Sequence, residues 1–334
     1  MYLRDTLILL GDPAEDFLTS GMARAWNGLA DRTEGGQHEN MRLQPYRKKA
    51  LPKVLSLLNE AEAGSHEFIP YGEESLEAEL KGASSVLLAT DDQNHITGLA
   101  YLSRQWYGET VTLHVRPGLG QWEAGDLLLS ALEPRNQTDE LSTLVEGFDH
   151  ARLAFFLERE YRSDSSLYQM TADLDRRRRR RRLPAGCTIG SLKKDEEEAL
   201  IQLANTAYAG ERLRPGILAQ WQAQDPDFST DWVQVARRDG QLVASVVARS
   251  DREYNEYFHA NRGYLGPAAT LPNYRGKGLS QALTARAMNF LRERGMRTVS
   301  LYTWEGNQPA VTVTMNLGFC VAHEWKIFSK RVRR

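Results

Sequence analysis

The chain predicts a mixed α/β (α+β) fold built as two tandem copies of one domain, each with a mixed, mostly antiparallel central sheet flanked by helices. Three observations carry this expectation. The chain has 334 residues, more than most single cores hold, and seven consecutive arginines at 176–182 divide it. The same order of strand and helix signals also runs on both sides of the tract. Apolar residues at 41% and charged residues at 26% exclude a largely disordered chain. No apolar run approaches the ~20 residues of a membrane span, so no membrane partner is expected. The opening residues 1–10 carry an early acid and a short apolar stretch, a poor signal peptide. Cys187 and Cys320 are too few for a disulfide framework, which points to a cytoplasmic setting.

Residues 1–40 have a weak pattern and are expected to form an extension. In the first copy, 41–175, a strand is predicted at 41–46 and a helix at 51–61. Two β-rich runs at 85–90 and 95–106 flank the turn Asp91-Asp92-Gln93-Asn94. A strand at 110–115, a helix at 126–132, a strand at 143–148, a helix at 150–158 and a strand at 167–174 follow. Residues 176–184 read as a solvated, Arg-rich linker, since seven like charges repel one another and bury nothing. In the second copy, 185–334, a strand at 187–191 precedes a helix at 195–208 whose first turn is acidic, as the helix dipole favours. A helix at 215–224 leads to a hairpin of strands 232–237 and 241–248 across Arg238-Asp239-Gly240. A strand at 264–271, an amphipathic helix at 279–294 stopped by Gly295, a strand at 298–303 and a helix at 309–317 complete the copy.

The net charge of -2 conceals an asymmetry. Residues 1–175 hold 15 basic against 29 acidic side chains, the tract adds seven positive charges, and 183–334 hold 20 basic against 15 acidic. The acidic half can satisfy the tract within the molecule, so a nucleic-acid partner is not expected although seven cations could bind phosphate.

The stretch Thr270-Leu271-Pro272-Asn273-Tyr274-Arg275-Gly276-Lys277-Gly278-Leu279-Ser280 joins a strand to a helix through two glycines and two cations. Such a turn leaves the first helical N–H groups unpaired and facing outward, which favours a phosphate. The phosphate-loop spacing is absent, and Gln281 stands where a dinucleotide-binding motif needs its third glycine.

The pattern Arg275-x-x-Gly278-x-Ser280 resembles the acetyl-CoA-binding motif of the GCN5-related N-acetyltransferase (GNAT) family. Asn307-x-x-Ala310 followed by Gly318-Phe319 resembles that family's second signature. The resemblance implies an acyl-CoA N-acyltransferase domain and acetyl-CoA as acetyl donor, with no metal. It implies that the backbone of Ala268, Ala269 and Thr270 pairs with the pantetheine arm between two splayed strands. Arg275, Gly276, Lys277, Gly278, Leu279, Ser280 and Gln281 would hold the pyrophosphate, and Asn307 would contact the cofactor. Tyr208 and Arg212 lie where the family builds its acceptor site. The acceptor is expected to be a primary amine of a small molecule or peptide, attacking the thioester directly, and the protein a monomer or homodimer.

The chain departs from the family at the catalytic positions. The usual acidic tyrosine is Thr314, and a glutamate sometimes used as base is Tyr302. Alternation along 298–303 puts Tyr302 on one face with Ser300 and Thr298, making it the candidate for proton transfer. Glu253, Glu256, His259 and Glu305 are open alternatives for the base. Aligning the copies on Pro117 and Pro272 sets Gly120 opposite Arg275 and Glu123 opposite Gly278, while Asp149 and Arg152 stand at Asn307 and Ala310. A carboxylate in place of cations opposes anion binding, so the first copy is expected to be degenerate. The tandem organisation is similar to that of mycothiol synthases, in which one copy is active; a mycothiol synthase-like activity and a non-catalytic acyl-CoA-binding protein are the competing readings.

Overall fold

A computed structural model describes residues 41–105, 108–118, 120–179 and 182–332. The expected extension at 1–40, and Arg180 and Arg181 of the tract, lie outside them. Two compact units account for the described chain: one holds residues up to Ala63 and Tyr71–Leu141, the other Gly64–Pro70 and Ser142–Arg331.

In the smaller unit β1 (Arg42–Pro45), β2 (Ser85–Thr90), β3 (Ile96–Gln105) and β4 (Gly108–Val115) pair in that order, all antiparallel. The Asp91 carboxylate fixes the β2–β3 turn by accepting the N–H groups of Gln93 and His95 at 2.9 and 2.8 Å. Helix α1 (Leu51–Ala61) buries Leu51, Val54, Leu57 and Leu58, one face at helical spacing. α2 (Glu73–Gly82) buries Leu76 and Leu80 one turn apart. α3 (Gln121–Leu132) packs so closely on β3 that a Cβ on Gly98 would come within 2.8 Å of Leu128 Cδ1.

The larger unit contains β5 (Glu140–Glu146), α4 (His150–Glu158), β6 (Arg162–Asp173), β7 (Cys187–Ser191), α5 (Glu197–Ala207), α6 (Ile217–Gln224), β8 (Val233–Arg238) and β9 (Gln241–Ser250). After these come α7 (Arg252–Phe258), β10 (Arg262–Thr270), α8 (Leu279–Glu293), β11 (Thr298–Trp304), α9 (Gln308–Met315) and β12 (Cys320–Arg331). Its strand order is β5-β12-β6-β11-β10-β9-β8-β7. The β10–β11 pair is parallel, whereas the β12–β6, β6–β11, β10–β9, β9–β8 and β8–β7 pairs are antiparallel. Residues 242–248 of β9 are buried without interruption, as a strand covered on both faces requires. Strand β6 lies between β11 and β12, matching Tyr302 to Gln169 on one side and His323 to Gln169 on the other.

Three elements escape the sequence patterns: α2, α7 and β12. α2 offers two buried leucines among charged residues, α7 buries nothing, and β12 alternates poorly because its partner is remote in sequence. In the tract Arg176, Arg177, Arg179 and Arg182 are exposed, and Arg178 alone among the described arginines is half-buried. The Arg178 N–H donates to Asn289 Oδ1 at 2.6 Å and its guanidinium to the carbonyls of Asp173 and Leu317 at 2.7 and 3.1 Å, leaving its side chain 13% exposed. Carbonyls at a strand end and a helix end attract a cation that repulsion along the tract would otherwise send to water.

Candidate active site

Strands β10 and β11 run side by side only as far as Tyr264 and Ser300, although β10 continues to Thr270 and β11 to Trp304. The register of β10 against β9 shifts between Leu265 and Ala268, across the cis Gly266–Pro267 bond. Pro267 has no N–H for a ladder, so the divergence begins where the sequence removes a donor. The divergent end therefore carries Ala268, Ala269 and Thr270. The Ala268 carbonyl accepts the Tyr208 hydroxyl at 2.7 Å.

The turn after β10 passes through Gly276 at φ +72° and Gly278 at φ +78°, both in the left-handed region, and at neither would an added Cβ meet another atom within 4 Å. Gly278 caps α8, and the first helical bond runs from the Ala282 N–H to the Gly278 carbonyl at 3.0 Å. The amides of Leu279, Ser280 and Gln281 thus precede the ladder at the positive end of a 15-residue helix. Arg275 turns back, donating to the carbonyls of Ala207 and Thr270 at 2.7 and 3.3 Å, so it braces the turn. Lys277 lies over the Tyr274 ring at 5.2 Å. Asn307 caps α9, its side chain accepting the Ala310 N–H at 3.4 Å.

A Cβ on Gly263 would stand 2.6 Å from Leu291 Cδ1, so α8 packs on the Gly263 face of β10. Alternation sends Arg262 and Tyr264 to the other face, with Ser300 and Tyr302. The rings of Tyr264 and Tyr302 lie 6.2 Å apart there, at the start of the divergence. Tyr264 extends over Gly266, where an added Cβ would lie 3.2 Å from its Cε1.

Behind these rings is a polar network that the sequence patterns do not announce. Arg262 grips Glu67 with two nitrogens at 2.6 and 2.9 Å and Asp251 with a third at 2.6 Å. Gln169 donates to Glu67 at 2.9 Å, which fixes its amide and turns its oxygen to His66 Nε2 at 2.6 Å; His66 must carry a proton on that nitrogen. The Gln169 amide also donates to the Tyr302 hydroxyl at 3.4 Å, leaving the phenolic proton directed elsewhere. His66 stacks on His323 at 3.9 Å. Burial, then the nearby Tyr264 phenol and the carboxylates of Glu67 and Asp251, pushes the Tyr302 phenol well above its ordinary pKa. Burial works to raise the Glu67 carboxyl, but the hydrogen bonds and charge of Arg262 prevail and hold it below the usual range. Tyr302 therefore stays protonated and Glu67 ionised.

Of the other base candidates, the Glu305 carboxylate is hydrogen-bonded to the Tyr168 side chain. Glu256 pairs with Arg252 at 2.7 Å, and His259 ends α7 on the exposed surface; the backbone N–H of Glu305 donates to the Ser166 carbonyl at 2.8 Å, and Glu253 lies in the first turn of α7. Thr314 turns inward, its hydroxyl donating to the carbonyls of Ala310 and Val311 at 2.9 Å. Tyr208 and Arg212 lie against each other, the guanidinium 4.8 Å over the ring. No group of three or more metal-ligating side chains occurs among the described residues.

In the smaller unit the counterpart turn corrects the alignment of the copies. Gly120, at φ +76° and ψ 5°, caps α3 as Gly278, at φ +78° and ψ 4°, caps α8. The turn from Pro117 is shorter than that from Pro272, so Glu123 corresponds to Gln281 in the first helical turn rather than to Gly278. Met41 fills the space above Gly120, its Cε only 2.8 Å from where a Cβ would stand, with Glu123 Oε2 at 3.9 Å. The second signature does align: Asp149 caps α4 by accepting the Arg152 N–H at 2.9 Å, as Asn307 caps α9.

Residues 197–319 match the acetyltransferase (GNAT) family. The chain is 26% identical over 297 residues to a mycothiol acetyltransferase of Thermomonospora curvata, covering 80% of this chain and 90% of that one. A GCN5-related N-acetyltransferase from Sphaerobacter thermophilus superposes with a TM-score of 0.64 at 17% identity, over 88% of this chain and 96% of that one. A tandem GNAT protein from the clavulanic acid biosynthesis pathway superposes at 0.60 and 16% identity, over 88% and 99%. The motif, the divergent strands and these likenesses agree: residues 197–319 form a GNAT acetyltransferase domain, in a chain whose fold is similar to that of a tandem GNAT protein.

Proposed function

We propose that residues 185–334 transfer an acetyl group from acetyl-CoA to a primary amine of a small molecule or peptide by direct attack. One observation carries this reading: a ladder that ends at Tyr264–Ser300 while both strands continue, followed by an open, glycine-capped helix N-terminus. The coenzyme supplies an acetyl group activated as a thioester. Backbone groups of Ala268, Ala269 and Thr270 would hold its arm, the amides from Gly276 to Gln281 its pyrophosphate, and Asn307 its far side. Preorganised donors at a strand edge suit the charge that grows on a carbonyl oxygen under attack.

Tyr302 serves as a proton donor at the divergence, because its raised pKa keeps the hydroxyl neutral and Gln169 already occupies the oxygen as a donor. It cannot serve as the base that a primary amine titrating near ~10 requires. Glu67 is held ionised but committed to Arg262, so its part is to position the network. The first copy is proposed to hold no coenzyme, since Met41 and Glu123 crowd its helix cap. Gly278→Glu should abolish acetyl-CoA binding measured by isothermal titration; retained binding would overturn the cradle.

A second reading, a mycothiol acetyltransferase-like activity, is favoured by the relative whose alignment runs through both copies. Acetyl-CoA-dependent thiol release across amines, peptides and mycothiol precursors separates the two. Coenzyme binding with no thiol release from any amine would leave a non-catalytic binder.

A further inference from the structure

Two half-buried arginines of the larger unit hold buried nitrogens that no acceptor meets. Arg262 is gripped by Glu67 and Asp251, and Arg237 holds the Glu196 carboxylate through its Nε and Nη2. In Arg212 the same two nitrogens, Nε and Nη2, are buried without a hydrogen-bond partner, as is Nε of Arg249. A buried guanidinium N–H with no acceptor is costly, because it has left water for nothing. Nε and Nη2 on one edge form the fork that fits the two oxygens of a carboxylate, as Arg237 does here with Glu196.

Both cations border the divergence of β10 and β11. Arg212 stacks on Tyr208, whose hydroxyl meets the Ala268 carbonyl on the divergent end of β10. Arg249 is matched to Tyr264 in the β9–β10 register and lies 5.3 Å over its ring, so it shares the face of Tyr264 and Tyr302. That face is opposite the α8 side on which Gly263 meets Leu291.

We infer that Arg212 and Arg249 receive a carboxylate of the acceptor, so that the substrate class is an amine that also bears a carboxylate, such as an amino acid or a peptide with a free C-terminus. This rests on the acetyl-transfer reading for the role of the amine, but not for the recognition of the acid. The aromatic rings beneath the guanidinium planes hold them in place, and the buried nitrogens gain an acceptor when the carboxylate enters between them and the cover they now have.

The test is isothermal titration of the full chain with matched acid and amide pairs: α- and ω-amino acids and dipeptides, each against its C-terminal amide, with and without free CoA. At least one acid should bind about tenfold or more tightly than its amide, a ratio that charge-assisted hydrogen bonds account for. Arg212→Gln and Arg249→Gln should bring that ratio toward one, and Arg212→Lys should restore it only in part, since an ammonium lacks the fork. The inference fails if no acid outbinds its amide. It also fails if the two glutamine variants lose affinity for CoA rather than for the acid, which would assign these cations to the coenzyme. A chain that discriminates acid from amide yet does not bind CoA would overturn the acetyl-transfer reading and leave this one standing.

Discussion

At the scale of residues, the divergence of β10 and β11 is bordered by groups whose charge states are set by one another. Tyr302 is kept neutral by burial and by the carboxylates beyond it, and Glu67 is kept ionised by Arg262. Tyr302→Phe should lower kcat for thiol release by about a hundredfold, the usual scale for a lost proton donor, while the Kd for acetyl-CoA is unchanged; equal turnover would remove Tyr302 from the chemistry. Glu67→Gln should cost roughly 2 kcal/mol in denaturant unfolding, since it half-uncovers the buried Arg262 charge while Asp251 remains in place. Glu67 has a folded pKa below its unfolded value near ~4.3, so its stabilisation is complete above that value and is lost as pH falls through the folded one. The wild type should therefore lose stability on acidification faster than Glu67→Gln, measured by urea unfolding between pH 6 and pH 3 as rough limits.

At the scale of elements, two helix N-termini of the same cap geometry have different surroundings. Gly120 and Gly278 have nearly the same dihedrals, yet Met41 covers the first and nothing within 4 Å covers the second. The sequence pattern located the second turn and its glycines because a left-handed position with open space selects glycine and little else. It misplaced the equivalence of Glu123, because a prolines-first alignment cannot see that one turn is shorter. It also could not see that Arg275 braces α5 and β10, a role decided by the nearby Thr270 carbonyl together with that of Ala207, far away in sequence. The seating of α8 on β10 depends on Gly263. Gly263→Ala should drive a methyl group into Leu291, which is fully buried, and destabilise by about 1–3 kcal/mol in chemical denaturation. A stability equal to wild type would mean that α8 can move off the strand.

At the scale of the whole molecule, the order β12-β6-β11 within the larger unit puts a strand of the first copy between the last two strands of the second. Deleting residues 320–334 would strip β6 of a long antiparallel partner and expose its edge. Such a chain should be recovered mostly as aggregate, measured by the soluble fraction and gel filtration. Residues 185–334 expressed alone should likewise lack β6 and be unstable until the first copy is supplied; a folded monomer of either truncation would contradict this dependence. The same arrangement brings His66, Glu67 and Gln169 to Tyr302 and Arg262. What the sequence determined by itself is local: the strand at 264–271 and the helix at 279–294, the glycines at 276 and 278 between them, the helix that follows Asn307, and the absence of a tyrosine at 314. Each follows from backbone conformation or from spacing within a few residues. Only the tertiary structure decided which copy each strand serves, which carboxylates answer Arg262, and which arginines are left without one. The Glu67 contacts among them depend on pairings across a hundred residues or more, for which periodicity carries no signal.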